Sequence, residues 1–142
     1  MKRQMRLFRQ ETGYTCTCAV ARMLLHFKGE VLSEMEVEEE MKVDPLKGAS
    51  TFQLMSFLSE HDVESELVTD SSVDELKKGD FPKLLLFSLW GEMPHVAVVD
   101  SVTVDGLWLL DPATGKTFLK FKTLEKQWFA DGIEKGFVKL KL

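Results

Sequence analysis

The sequence contains few cysteines, no excess of positive charge and no long apolar segment. Its two cysteines, Cys16 and Cys18, lie too close together to staple the fold by a disulfide, so we expect free thiols in a reducing compartment. Lys and Arg number 18 against 23 Asp and Glu, and the net charge of -5 argues against a nucleic-acid-binding protein. The apolar runs are too short to span a bilayer, and the charged N-terminus lacks the apolar stretch of a signal peptide. The sequence therefore predicts a cytoplasmic protein with no membrane span and no nucleic-acid partner.

The composition predicts one folded domain that covers residues 1–142. Apolar residues make up 44% of the chain, which is enough for one continuous core and excludes intrinsic disorder. No internal repeat and no linker rich in Pro or Gly divides the sequence. A domain of this length buries roughly 65–70% of its unfolded surface, so it needs neither a metal nor a disulfide for stability.

The N-terminal half carries patterns that are typical of helices. Apolar residues at i, i+3, i+4 and i+7 predict a helix over Cys16–Phe27, with Thr15 as its N-cap. In a capping box, the side chains of a Ser and of a Glu or Gln three residues later each accept a hydrogen bond from the other residue's backbone N–H. This pattern predicts helix starts after Ser33 and Ser50. A predicted strand over residues 63–68 follows these helices.

The C-terminal half is predicted to be mostly strand. The almost entirely apolar segment 83–90 is typical of a strand buried on both faces of a sheet. The dipeptide Asp105-Gly106 predicts a tight turn between two strands. The other predicted elements are strands over residues 95–104, 107–110, 117–121 and 137–142, and a short helix over residues 124–129. Helices followed by a mainly antiparallel sheet predict the α+β class and not alternating α/β.

Cys16 and His95 are the candidate reactive residues. Cys16 opens the first predicted helix, where the helix dipole and unpaired backbone N–H groups stabilise a thiolate. His95 begins a predicted strand at the mouth of the sheet, and a thiolate beside an imidazole is an activated nucleophile. A cysteine is more often a small buried apolar residue, and that remains our interpretation of Cys18. His26 and His61, near helix ends among charged residues, are predicted to lie on the surface.

Two other patterns do not support a cofactor or a metal site. The tripeptide GKT at residues 115–117 resembles the end of a phosphate-binding loop, but Leu110 occupies the position of the first glycine of that motif. Cys16, Cys18 and His26 lack a fourth ligand at a spacing that suits zinc. We therefore expect no cofactor and no metal.

Larger parts of the sequence resemble one family. Gln10, five further residues and then Cys16 resemble its opening signature, and Gly48-Ala49-Ser50 resembles the start of a later helix. The segment HVAVVDSVTVDGLWLLDPATGK, residues 95–116, resembles its histidine strand, hairpin and Asp-Pro-x-x-Gly turn. The family is the papain-like cysteine peptidases that process bacteriocin precursors after a double-glycine leader. These domains are usually found at the N-terminus of ATP-binding-cassette exporters.

The resemblance implies a papain-like α+β fold, with N-terminal helices packed on a C-terminal sheet, and a site of four residues. Cys16 would be the nucleophile and His95 the general base and acid. Asp111 would orient the imidazole, and Gln10 would donate a hydrogen bond to the oxyanion. The implied activity is cleavage of a leader peptide after a small-residue or double-glycine site. The implied partners are a peptide or precursor-protein substrate and a separately encoded exporter.

Two alternatives to a peptidase stay open. Thr17 stands where the family usually has glycine, and its branched side chain narrows the approach to the scissile bond. That substitution would suit a catalytically silent module that docks a leader peptide. A papain-like acyltransferase or deamidase would use the same Cys, His and Asp on another amide.

Counting along the predicted hairpin raises a geometric difficulty for Asp111. A tight turn at Asp105-Gly106 leaves Asp111 nearer the turn than His95 by roughly 10–15 Å at strand rise. Contact between the two side chains therefore requires a β-bulge, a wider loop or strong coiling of the sheet.

Overall fold

Three helices form the N-terminal part of the molecule. The computed structural model describes residues 4–142, and these helices are α1 Cys16–Phe27, α2 Glu34–Met41 and α3 Thr51–Glu60. The predicted capping boxes are present at Ser33 and Ser50, because each hydroxyl accepts the backbone N–H three residues on at 3.1 Å. All three predicted helix starts are therefore confirmed.

The segment before α1 is held by a contact that the sequence did not predict. Thr15 occupies the N-cap position of α1, but its side chain makes no capping hydrogen bond. Its Oγ1 instead accepts the backbone N–H of Thr12 at 3.2 Å and lies 2.9 Å from Thr12 Oγ1. The Thr15 hydroxyl thus fixes the preceding loop, and it leaves the N–H groups of the first turn of α1 uncapped.

Most of the remaining chain forms β-structure. The strands within residues 4–142 are β1 Glu64–Val68, β2 Lys83–Leu89, β3 Met93–Val102, β4 Gly106–Asp111, β5 Gly115–Lys120, β6 Phe129–Ala130, β7 Ile133–Glu134 and β8 Phe137–Lys141. Six of them form one sheet in the order β1-β8-β2-β3-β4-β5, and every neighbouring pair is antiparallel. The two others, β6 and β7, pair as a short ribbon that was not predicted.

Two further helices connect the strands. Helix α4, Val73–Lys77, lies between β1 and β2, and helix α5, Phe121–Gln127, follows β5. The predicted helix over residues 124–129 therefore begins earlier, and its last predicted residue belongs to β6. No helix within residues 4–142 has both the length and the apolar character needed to cross a membrane.

The sheet has a hydrophobic cluster on each face, and β2 lies between them. All seven residues of β2 are buried. Leu84 and Leu86 pack into the cluster that contains the apolar side of α1. Leu85 and Phe87 pack into a second cluster, with residues of α5 and the segment that follows it. This alternation is the period of two expected of a strand, and it confirms both the doubly buried strand and the α+β class.

Candidate active site

The β3–β4 hairpin brings His95 and Asp111 together. The Nε2 atom of His95 lies 2.6 Å from Oδ1 of Asp111. The predicted tight turn at Asp105-Gly106 is wrong, because β3 ends at Val102 and Gly106 already belongs to β4, which makes the link wider. The pairing also shifts by one residue at a bulge after Val99. Continuing the pairing beyond the bulge places Asp111 opposite Ala97, one diagonal step from His95, which is within reach of a long side chain. The hairpin thus contains both a wider link and a bulge.

Asp111 is fixed by the backbone of the residues that follow it as well as by His95. Its side chain is buried, and Oδ1 also accepts the backbone N–H groups of Ala113 at 2.8 Å and Thr114 at 3.4 Å. Burial opposes the carboxylate, but the hydrogen bond and charge of His95 outweigh it and lower the pKa of Asp111. The carboxylate is therefore held ionised in the turn that follows β4.

His95 is buried, and the carboxylate of Asp111 and the thiol of Cys16 both affect its pKa. Its ring meets Phe87 edge to face, with centroids 5.4 Å apart. Burial opposes the imidazolium, yet hydrogen bonds and charges from Asp111 and Cys16 raise the pKa of His95 to about 9. Because Asp111 occupies Nε2, the other ring nitrogen, Nδ1, is the one left for the thiol.

Cys16 and His95 line the same small cavity. The cavity has a volume of about 30 Å³. Thr17 and Pro94 complete the wall near these two residues, and residues of α3 and the β6–β7 ribbon lie opposite. Cys16 is the first residue of α1 and is half-buried, so its thiol faces this cavity at an uncapped helix start.

Cys18 lies in a different environment from Cys16. It is fully buried in the cluster beneath α1. Burial, together with the charges of Glu34 and Glu38, raises the pKa of Cys18 to about 12. Because the thiolate is the reactive form of cysteine, Cys18 is inert at neutral pH. The interpretation of Cys18 as a buried apolar residue is confirmed.

Gln10 lies beside the turn that carries Asp111. Its backbone N–H donates to the carbonyl of Pro112 at 3.0 Å. The amide Nε2 donates to the carbonyl of Thr12 at 2.8 Å, and Oε1 is buried without a hydrogen-bond partner. One N–H of the side-chain amide is thus committed to the loop before Cys16. The oxyanion role of Gln10 stays a prediction.

Two residues differ in exposure or contacts from what the sequence suggested. His26 and His61 were predicted to lie on the surface, and both are half-buried in the structure. His61 binds Glu30 through Nδ1 at 2.9 Å and Glu40 through Nε2 at 2.7 Å, and these contacts join the ends of three helices. The sequence gives no sign of this cluster, because its members come from three separate segments.

The sequence analysis also missed Glu34. This residue is 3% exposed, and its carboxylate accepts the backbone N–H of Glu11 through both oxygens, at 3.1 and 3.0 Å. An acidic residue in the first turn of α2 is explained by the helix dipole alone, so the pattern did not distinguish it from a solvated one.

Among residues 4–142, no group of three or more His, Cys, Asp or Glu side chains could hold a metal ion.

The arrangement of helices on a mostly antiparallel sheet is that of a papain-like peptidase domain. The model of the Peptidase C39 family matches residues 4–132, and the chain therefore belongs to that family. No curated protein matches the chain in sequence.

Solved structures share the fold over nearly the whole chain. A double-glycine-motif protease from an AMS/PCAT transporter, solved in complex with a leader peptide, has a TM-score of 0.81 at 15% identity, covering 97% of this chain and 91% of that one. The peptidase domain of Streptococcus ComA, a bifunctional ABC transporter of a quorum-sensing pathway, has a TM-score of 0.81 at 16% identity, with 96% and 98% covered. A putative C39-like peptidase from Bacillus anthracis has a TM-score of 0.70 at 12% identity, with 97% and 94% covered.

Proposed function

We propose that the protein is a cysteine peptidase that cuts a leader peptide after a small-residue or double-glycine site. Cys16 is the nucleophile, His95 the general base and acid, Asp111 the residue that orients His95, and Gln10 a donor to the oxyanion. The proposal depends above all on the hydrogen-bonded pair of His95 and Asp111 beside Cys16 in one cavity. Binding a peptide without cutting it requires none of these contacts.

The first half-reaction forms a thioester. The Cys16 thiolate attacks the carbonyl carbon of the scissile bond, and the tetrahedral oxyanion is stabilised by backbone N–H groups at the start of α1 and by the amide of Gln10. As the intermediate collapses, the C–N bond breaks and His95 gives its proton to the leaving amine. The N-terminal part of the substrate stays bound to Sγ as a thioester.

The second half-reaction releases the acyl group. Neutral His95 takes a proton from water, whose oxygen attacks the thioester carbonyl. The C–S bond breaks, a carboxylic acid leaves, and the thiolate of Cys16 and the imidazolium of His95 return. The pKa of His95 of about 9 suits this cycle, because the resting enzyme then holds the proton that the leaving amine needs. Asp111 keeps Nε2 engaged throughout, so Nδ1 does the proton transfer.

The size of the cavity favours a small residue before the scissile bond. The cavity beside the Cys16 thiol, about 30 Å³, suits a small side chain better than a branched or aromatic one. Thr17, which is 5% exposed, fills part of the wall where glycine would leave space. The structural relatives named for a leader-peptide complex and for an ABC transporter support a leader peptide as substrate and an exporter as partner.

The test is cleavage of a synthetic peptide that carries a double-glycine site, with the products identified by mass spectrometry. The parent should cut after the second glycine, while Cys16→Ser should not cut and Cys18→Ser should cut at the parent rate. A peptide that binds but is never cut would favour the docking module. Conversion of a side-chain amide to an acid, or transfer of the acyl group to an added amine in place of water, would favour a deamidase or an acyltransferase.

A further inference from the structure

Glu34 is a buried carboxylate that contacts the loop leading to Cys16. It is the first residue of α2, and its two oxygens accept the same backbone N–H, that of Glu11, at 3.1 and 3.0 Å. The residue is 3% exposed. The side chain of Glu11 points elsewhere, toward Arg22 at 3.5 Å, so the contact with Glu34 concerns the backbone of the loop and not its side chain.

The burial of Glu34 opposes its ionised form. Burial raises the pKa of Glu34 above its ordinary value, although the Glu11 N–H, the Thr15 hydroxyl and the charge of Arg22 act in the opposite direction. A carboxylate whose pKa is higher in the folded protein than in the unfolded chain is held ionised at the expense of stability at neutral pH.

The contacted loop sets the position of Gln10. Residues 11–14 form neither helix nor strand, so the loop depends on individual hydrogen bonds. One end is fixed where the Gln10 N–H donates to Pro112, and the other where the Thr15 hydroxyl contacts Thr12. Between them the Gln10 amide donates to the Thr12 carbonyl at 2.8 Å. Glu34 holds the backbone N–H of Glu11, the residue that lies between Gln10 and Thr12.

We propose that Glu34 is a positioning residue that holds the backbone at Glu11 and thereby orients the Gln10 amide toward the oxyanion of the reaction. This inference rests on the proposed peptidase function. Glu34 touches neither substrate nor thiol in this role. Its effect reaches the reaction only through Gln10.

The test compares Glu34→Ala and Glu34→Gln in peptide cleavage, with Glu39→Ala as a control, since Glu39 is an exposed residue on the same helix. Glu34→Ala should lower kcat by at least about tenfold, but by less than the about 10²–10³ expected when an oxyanion donor is removed outright, and KM should change little. Glu34→Gln keeps an acceptor for the Glu11 N–H and should recover most of the parent kcat. Glu39→Ala should match the parent.

Three further readouts separate positioning from a structural role. Alkylation of Cys16 forms no oxyanion, so Glu34→Ala should label at the parent rate. In the background of Gln10→Ala, Glu34→Ala should cause almost no further loss, because the two residues act through one group. The backbone amide of Glu11 should exchange hydrogen faster in Glu34→Ala than in the parent or Glu34→Gln, while the amides of α2 stay protected in all three.

Several outcomes would overturn the inference. A parent-like kcat in Glu34→Ala, equal losses in kcat and alkylation rate, or losses that multiply with those of Gln10→Ala would each contradict it. If the parent itself cuts no double-glycine peptide, the proposed function fails. The exchange of the Glu11 amide then decides separately whether Glu34 holds the loop, and unchanged exchange in Glu34→Ala overturns that as well.

Discussion

The two sides of the site are held in place in different ways. On the sheet side, the pairing of β3 with β4 sets the distance between His95 and Asp111, and two backbone N–H groups as well as the imidazole bind Asp111 Oδ1. On the helix side, Gln10 precedes Cys16 in a loop without regular structure, and its Oε1 is buried without a partner. One side is positioned by the pairing of two strands, the other by individual hydrogen bonds of a loop.

This difference separates two kinds of effect in variants. On the sheet side a substitution removes a chemical group but leaves its neighbours where the strands hold them. On the helix side a substitution removes a group and also loosens a loop, since backbone N–H groups of the loop donate to the side chains of Glu34 and Thr15 and so fix its position.

The largest loss should follow removal of the base on the sheet side. His95→Ala takes away the group that protonates the leaving amine and activates water, so turnover of a double-glycine peptide should fall by about 10⁴ or more. The measurement is kcat by mass spectrometry of the products. His26→Ala is the matched control, and an equal loss there would place the base elsewhere.

The next largest loss should follow removal of the amide on the helix side. Gln10→Ala should lower kcat by about 10²–10³, or roughly 3–4 kcal/mol of transition-state stabilisation. Labelling of Cys16 by iodoacetamide should be almost unaffected, because alkylation forms no oxyanion. A variant that cuts at the parent rate would remove Gln10 from the mechanism, whereas slow labelling would mean that the loop disturbs the thiol.

A smaller loss, with a change in pH dependence, should follow from Asp111→Asn. Hydrogen bonds and charges of Asp111 and Cys16 raise the pKa of His95 to about 9 against the opposing effect of burial, so the parent should lose activity on the alkaline side near that pH. In the variant this fall should begin at lower pH, and kcat at its optimum should drop on the order of 10². The profile of kcat/KM against pH measures both. An unshifted alkaline limb would show that Asp111 does not act on the proton of His95.

The smallest effect should come from His61, which lies away from the site. The carboxylates of Glu30 and Glu40 raise the pKa of His61, although burial opposes them. A raised folded-state pKa stabilises the fold below the ordinary His value, and this stabilisation disappears as pH rises through the folded-state pKa. His61→Gln should therefore lose about 0.5–1 kcal/mol of unfolding free energy near pH 6 and less near pH 9, with kcat unchanged. Denaturant unfolding at the two pH values measures the difference, and an equal loss at both would contradict the ion pairs.

Much of the fold follows from local sequence patterns. The capping boxes at Ser33 and Ser50, the apolar strand β2 and the hairpin after His95 each depend on neighbours in sequence, and the structure contains all of them. The β6–β7 ribbon was missed because strands of two residues carry no hydrophobic period. The predicted boundaries of helix α5 were shifted toward the C-terminus for a related reason, since its apolar residues merge in the sequence with those of β6.

The site was only partly predictable. A glutamine six residues before a cysteine is a local signal, and so is a histidine at a strand start. The contact between His95 and Asp111 depends on a bulge after Val99, and no residue type in the sequence predicts that bulge. Glu34 was not identified because its burial and its contact with Glu11 arise from how α2 packs on the loop, which tertiary structure decides.

The most direct test of the account is the rate at which iodoacetamide labels the two cysteines at about pH 6, mapped by mass spectrometry. Cys16 lies at an uncapped helix start beside protonated His95, whereas burial and two acidic residues raise the pKa of Cys18 to about 12. The account predicts that Cys16 labels much faster than Cys18, and faster than the same residue in denatured protein. A rate for Cys16 in the folded protein no higher than in the denatured one would contradict an activated nucleophile at this site.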